Sequence, residues 1–351
     1  MWQYILKRLT YGLLVVITVI CTIASIIYLS PVDPARLSFG QLSDAGTVAS
    51  KRQELGLDKP LSTQLFYYLR DLSPINLVKN NSGLIEKYHY ATIIHFKKNK
   101  LIIKWPYLRE SYQSGRKVSE ILKEAIPVTL ILSFAAIIFA SIIGIVLGIL
   151  AARKKDTWVE NVALVLATMG YSIPSYAAGI FIAILFAYIW KSWTGLNLTG
   201  SIFELDDAGN KVIVLKNLIL PALALGLRPV SIITLLTRAA MLDNFSLPYV
   251  KTAYAKGLGI NRITYDHVFK NALNPIITGI TGWFASLITG AFFVENVFNF
   301  RGLGAVTVKA LLEFDIPVVL GATLFTCIMF VLINILVDIL YALTDPKVIL
   351  K

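Results

Sequence analysis

Residues Val128 to Ala152 read VTLILSFAAIIFASIIGIVLGILAA, a run without one ionisable side chain. At about 1.5 Å of rise per residue, this stretch spans the roughly 30 Å apolar core of a bilayer. In lipid a helix satisfies every backbone N–H and C=O internally, so the run reads as a transmembrane helix. Outward from it, five stretches share its character: about Leu9 to Leu29, Val162 to Trp190, Leu215 to Leu236, Ile276 to Phe298 and Val318 to Leu343. The first follows Lys7 and Arg8 as a signal peptide would. Its apolar run is too long for one and no A-x-A site closes it, so it reads as a retained helix. An all-α polytopic membrane protein with six transmembrane helices is expected.

Composition agrees. Of 351 residues, 56% are hydrophobic and 15% charged, too little polar surface to cover a water-soluble globule. The net charge of +12 raises nucleic acid as a partner, but the basic residues fall between apolar blocks and suit membrane topology instead. With the N-terminus inside, the inside segments hold Lys7 and Arg8, then Arg153, Lys154 and Lys155, then Lys251, Lys256, Arg262 and Lys270, then Lys347 and Lys351. The short outside loops hold only Lys191, Lys211 and Lys216, and Arg301 and Lys309. Both termini are therefore expected in the cytoplasm. Cys21 and Cys327 lie in apolar runs without C-x-x-C spacing, which argues against a disulfide scaffold or a thiolate metal site.

The division expected is an N-terminal helix over 1–30, an outside cap over 31–117, a five-helix core over 118–343 containing an inside loop at 241–274, and a tail over 344–351. The cap opens with turn residues Pro31, Asp33 and Pro34 and continues as an amphipathic helix near Pro60 to Leu72. A β-hairpin pairing His89 to Phe96 with Lys100 to Pro106 makes it a small α/β structure. A second outside hairpin pairs Ile202 to Leu205 with Val212 to Leu215. In the inside loop, Ser246 is placed to cap a helix with Pro248 in its first turn, and Gly257 to end it in the left-handed conformation. Asn261 is placed to cap a second helix that stops before Pro275.

The missing chemistry is informative. No G-x-x-x-x-G-K-[ST] phosphate loop occurs, so any ATP work by that mechanism belongs to a partner. His89, His95 and His267 form no H-E-x-x-H, and G-x-S-x-G is absent, so neither catalytic residues nor metal ligands are expected. The ionisable residues picked out in the spans are Glu295, Arg238 and Asp338, all near span ends, where local pairing, such as Glu295 with Arg301, is expected over an ion relay. No internal duplication marks a secondary transporter. A pathway so poor in charge would discriminate cargo weakly and leave selectivity to a separate binding protein.

Short motifs then give a resemblance. Tyr4-Ile5-Leu6-Lys7-Arg8-Leu9 precedes Leu29-Ser30-Pro31-Val32-Asp33-Pro34-Ala35, and Leu55-Gly56-Leu57-Asp58-Lys59-Pro60 precedes Gln64. Next come Ile126-Pro127-Val128-Thr129-Leu130, Ser172-Ile173-Pro174-Ser175-Tyr176 and Leu220-Pro221-Ala222-Leu223. Glu295-Asn296-Val297-Phe298 with Gly302-Leu303-Gly304, Asp315-Ile316-Pro317, Asp338 and Asp345-Pro346-Lys347 complete the series. In this order the set resembles the bacterial peptide and nickel class of ABC-transporter permeases, specifically the B-type subunit of oligopeptide or dipeptide permeases. Val32 stands where that family has glycine.

The inside loop carries the strongest part of this resemblance. Tyr249-Val250-Lys251-Thr252-Ala253-Tyr254-Ala255-Lys256-Gly257-Leu258, followed by His267 and Asn271-Ala272-Leu273-Asn274-Pro275, is similar to the "EAA" coupling loop, with Lys251 in place of its leading Glu. The resemblance implies a type I ABC importer permease fold in the bacterial inner membrane. It assigns ATPase coupling to Tyr249, Lys251, Ala253, Ala255, Lys256, Gly257, Leu258, His267 and Asn271, and leaves Glu295, Arg301 and Asp338 as pathway or gate candidates. The implied partners are a homologous C-type permease, two ATPases that carry ATP and Mg, an outside substrate-binding protein and membrane lipid. No cofactor is expected on this chain. Peptide is the implied cargo, with nickel, glutathione or another small solute as alternatives, and a secondary transporter or channel as the reading from a different class. The extra outside residues 76–110 are either a contact for a binding protein or a lineage ornament.

Overall fold

The computed structural model describes residues 2–28, 45–79, 90–95 and 99–344. Its elements in chain order are α1 (Trp2–Tyr28), α2 (Ala45–Glu54), α3 (Leu61–Leu72), β1 (Ile75–Lys79), β2 (Tyr90–His95), β3 (Asn99–Lys104), α4 (Val118–Arg153), α5 (Trp158–Ser172) and α6 (Ser175–Ile189). There follow α7 (Lys191–Thr194), β4 (Phe203–Leu205), β5 (Lys211–Ile213), α8 (Lys216–Phe245), α9 (Pro248–Ala255), α10 (Ile260–Gly290), α11 (Phe292–Val297), α12 (Leu303–Leu312) and α13 (Ile316–Thr344). Among the described residues, α1, α4, α8, α10 and α13 are long and apolar enough to cross a membrane, and α5 with α6 makes a sixth span broken by a 108° bend.

That bend corrects the expectation of one continuous helix over Val162 to Trp190. Pro174 disfavours a helical residue before it, and Ile173 accordingly sits at φ −87°, ψ 129°. A second correction runs the other way. The helix expected to stop before Pro275 continues through it, because Ala272 and Ile276 on either side are buried in the same apolar cluster as Ile263 and Val268. Packing there outweighs the one hydrogen bond the proline removes. The span then ends at Gly290, and the residues up to Phe298 form the separate helix α11 with its flanks.

The chain divides into two compact units. The first gathers Met1–Gly12, Ala125–Ala305 and Thr326–Lys351. Its centre is α8, which packs on α5, α6 and α10. Small residues permit the close approach: a Cβ on Gly148 would strike Thr237 and the Thr234 carbonyl, and one on Gly170 would strike the Leu227 carbonyl and Ser231. Leu132, Ala136, Leu220, Leu225, Ile233 and Phe298 belong to its main core. The expected hairpin forms with Phe203 opposite Ile213 and Leu205 opposite Lys211.

The second unit gathers Leu13–Glu124 and Val306–Phe325. Its sheet has the order β1-β3-β2, all antiparallel, with Ile75 opposite Ile103 and Tyr90 opposite Lys104. The β2–β3 pairing was expected, whereas β1 was not; His89 and the turn residues Pro31, Asp33 and Pro34 lie outside the described residues. Asn76, Val78, Ile102 and Lys104 face inward. Lys104 donates to the Asp71 carbonyl at 2.6 Å, and burial pulls its ammonium below lysine's usual value. Asp315 of the D-I-P motif is buried, accepting from the Ser111 hydroxyl and from the Tyr112 amide at 3.0 Å.

Candidate functional site

The inside loop is built on the core rather than hung from it. Val250, Ala253, Ile263, Val268 and Ala272 are buried with Ile149, Ala240 and Met241. This leaves Lys251, Tyr254, Ala255, Lys256, Gly257, Ile260, Arg262 and Tyr265 exposed as a basic and aromatic knob. Ala253 is therefore an inward packing residue, which corrects its expected place on the contact surface. Leu258 and His267 are half-buried, and Asn271, exposed, donates to the His267 carbonyl at 2.9 Å.

Gly257 takes the left-handed conformation at φ +76°, with its N–H on the Tyr254 carbonyl and the Leu258 N–H on the Ala253 carbonyl. No atom lies within 4 Å of where its Cβ would stand, so the demand for glycine is conformational rather than steric. Two expected caps have other work. The Ser246 hydroxyl donates back to the Asp243 carbonyl at 2.7 Å, and Leu247 occupies the cap of α9. Asn261 accepts from Arg153 at 2.8 Å, which ties the loop to the end of α4. Tyr249 donates to Asn244 at 3.1 Å, bracing the turn between α8 and α9.

Glu295 is wholly buried and held by its own chain. Its carboxylate accepts from the Thr129 hydroxyl at 2.5 Å and from the backbone N–H groups of Ala305, at 3.0 Å, and Gly304. Thr129 in turn accepts from the Leu303 N–H at 2.7 Å. A Cβ on Gly302 would collide with this carboxylate, and one on Gly304 with it and with the Phe292 backbone. The motifs containing Thr129, Glu295 and Gly302-Leu303-Gly304 thus form one clasp. The expected pairing of Glu295 with Arg301 is corrected: the Arg301 side chain is exposed, and its backbone N–H bonds Ser201 at 3.3 Å.

Asp338 behaves as local pairing predicts, accepting from Tyr4 at 2.7 Å and pairing with Arg8 at 2.9 Å. Arg238 pairs with Glu160, whose other oxygen accepts from the Asp156 amide. Glu160 was missed in the sequence, although Thr157 three positions earlier spells the capping-box signature that points to it. Arg228 was missed as well. It lies inside α8, exposed, with its guanidinium 5.6 Å from the centre of the Tyr171 ring.

Known proteins carry this architecture. Residues 144–350 match the family described as binding-protein-dependent transport system inner membrane component, and residues 1–133 match its N-terminal companion. The chain belongs to this family. Three relatives align with 99% of this chain and 99% of their own length. They are a Brucella abortus protein provisionally named a peptide transport system permease (33% identical), the dipeptide transport system permease DppB of Alkalihalophilus pseudofirmus (30%) and the glutathione transport system permease GsiC of Salmonella choleraesuis (31%). An inward-facing structure of the MetNI methionine ABC transporter matches with a TM-score of 0.51 at 15% identity, covering 65% of this chain and 97% of that one. At that identity the likeness concerns the fold, which is that of an ABC importer permease. The chain is accordingly a multi-pass inner-membrane permease subunit.

Proposed function

We propose that this permease forms, with a homologous second permease, the pathway of an ATP-driven importer for short peptides. Two ATPases carrying ATP and Mg dock on the inside knob around Gly257, and an outside binding protein delivers cargo. Both termini lie in the cytoplasm. Closure of the ATPases would move the knob and, through α8 and α10, swing the pathway between outward-open and inward-open states. The observation that carries this reading is the exposed knob itself, a short helix, a left-handed glycine turn and a second helix whose inner face is packed into the transmembrane core. Because it is part of that core, a push on it is transmitted rather than absorbed. The end-to-end similarity to peptide permeases supports the cargo class.

The test is reconstitution of the chain with its ATPases, partner permease and binding protein. ATP-dependent peptide uptake is expected, together with loss of uptake in Gly257→Val while the ATPases' own nucleotide binding persists. Uptake without any ATPase would remove the reading in favour of a secondary transporter or channel. Glutathione is the second cargo reading, favoured by the 31% identity to a glutathione permease; affinity of the cognate binding protein for glutathione against short peptides separates the two.

A further inference from the structure

Arg228 lies on α8 between Lys216 and Phe245, about 18 Å and about 26 Å from the two helix ends at 1.5 Å per residue. With an apolar core of roughly 30 Å centred on that helix, its Cα is roughly 10 Å inside the slab. A cation at such depth is costly in lipid and belongs in a water-filled or protein-lined cavity. Arg228 is nevertheless exposed on this chain, and among the described residues no carboxylate pairs with it.

Its surroundings are built. The close approach of α5 to α8 at Gly170, and the hydrogen bond from Ser231 to the Ala167 carbonyl, set Tyr171 beside Arg228. The ring takes one face of the guanidinium and leaves its in-plane N–H groups free. Directly after Tyr171 the broken span leaves the helix at Ile173 and Pro174, and both residues are exposed. Irregular backbone at membrane depth is tolerated where it is buried in protein or lines a water-filled cavity. The uncompensated cation and the exposed helix break are independent observations, and they coincide at one place.

We propose that Arg228, stacked on Tyr171, is an anion-binding site in the transport pathway that holds a carboxylate of the cargo, for a linear peptide its C-terminal carboxylate. The cargo clause rests on the peptide-import reading; the anion site does not. A guanidinium fork matches both oxygens of a carboxylate. It reads the one group common to linear peptides whatever their side chains, and a single water-exposed contact holds weakly enough to release. This replaces the sequence-based expectation that the pathway takes no part in recognition.

Thiol labelling in the complete transporter tests the site without reference to uptake. In a background carrying Cys21→Ala and Cys327→Ala, Tyr171→Cys is reacted with water-soluble methanethiosulfonates bearing either a sulfonate or a trimethylammonium group. The sulfonate is expected to gain at least fivefold over the cation relative to the same protein with Arg228→Gln, and trialanine to slow that reaction where trialanine amide does not. Failure of both reagents to react, or the same preference with and without Arg228, overturns the site. Trialanine uptake is measured beside it in vesicles, with an expected loss of at least tenfold in Arg228→Gln and an intermediate rate in Arg228→Lys. Undiminished uptake by Arg228→Gln would overturn the role in transport. Wild-type vesicles that label as expected yet import no trialanine would leave the anion site standing and remove the peptide reading.

Discussion

Glu295 and Arg228 are both ionisable residues of the transmembrane unit, and the chain treats them in opposite ways. Glu295 is wholly buried, with a hydroxyl and two backbone N–H groups on its oxygens and two glycines cleared of side chain to let it in. Arg228 is exposed, rests on one ring and has no anion among the described residues. A charge whose hydrogen bonds are completed by its own chain holds architecture together. One left open is available to something that arrives. If that distinction is right, substitutions should sort by how much of the fold each residue completes.

The largest effect is expected in the clasp. Gly304→Val drives a side chain into the Phe292 backbone and the carboxylate, and should abolish recovery of folded protein from membranes. Thr129→Val leaves both the carboxylate and the Leu303 N–H short of a partner, an expected loss of about 3 kcal/mol or more, seen as a fall in the melting temperature of purified protein. A Thr129→Val protein as stable as wild type would break the comparison at its strong end.

Next comes the inside loop, where one helix carries both kinds of residue. Ala253→Asp buries an unpaired charge, at a cost on the order of 3 kcal/mol, and should speed hydrogen exchange of backbone amides between Tyr249 and Ala272. Ala255→Asp, on the exposed face, should leave exchange as it was. Gly257→Val meets no neighbour but must hold φ near +76°, a strain of about 1–2 kcal/mol that re-aims the turn. Membrane insertion should survive while uptake drops at least tenfold; uptake near wild type would show that the turn's geometry does not matter to coupling. The smallest change in stability is expected for Arg228→Gln, within about 0.5 kcal/mol, since no partner within the chain is lost. A fall in melting temperature comparable to that of Thr129→Val would make Arg228 structural and erase the contrast.

Much of this could be read from the chain. The spans, the left-handed turn at Gly257 and the two hairpins depend on residues close in sequence, and hydropathy and turn propensity act at that range. Asp338 could be placed in local pairing, though not with Tyr4 and Arg8 from the opposite end of the chain. Glu160 carried a legible signal in its spacing from Thr157. Arg228 is plain in the sequence once sought, flanked by Leu227 and Pro229 within an apolar run, but nothing local shows whether such a residue is paired or open.

The sequence by itself determined that this is a polytopic membrane chain, where it crosses the bilayer and where its inside turn must bend, because the apolar slab imposes length and hydrophobicity segment by segment. Tertiary structure decided that α10 runs through Pro275, that Ala253 points inward, that Glu295 answers to Thr129 and the 302–304 turn rather than to Arg301, and that Arg228 stays open beside a broken helix. Each of those outcomes turns on which distant surface is pressed against a residue. Burial and hydrogen-bond completion are properties of that juxtaposition, and no stretch of neighbouring residues contains it.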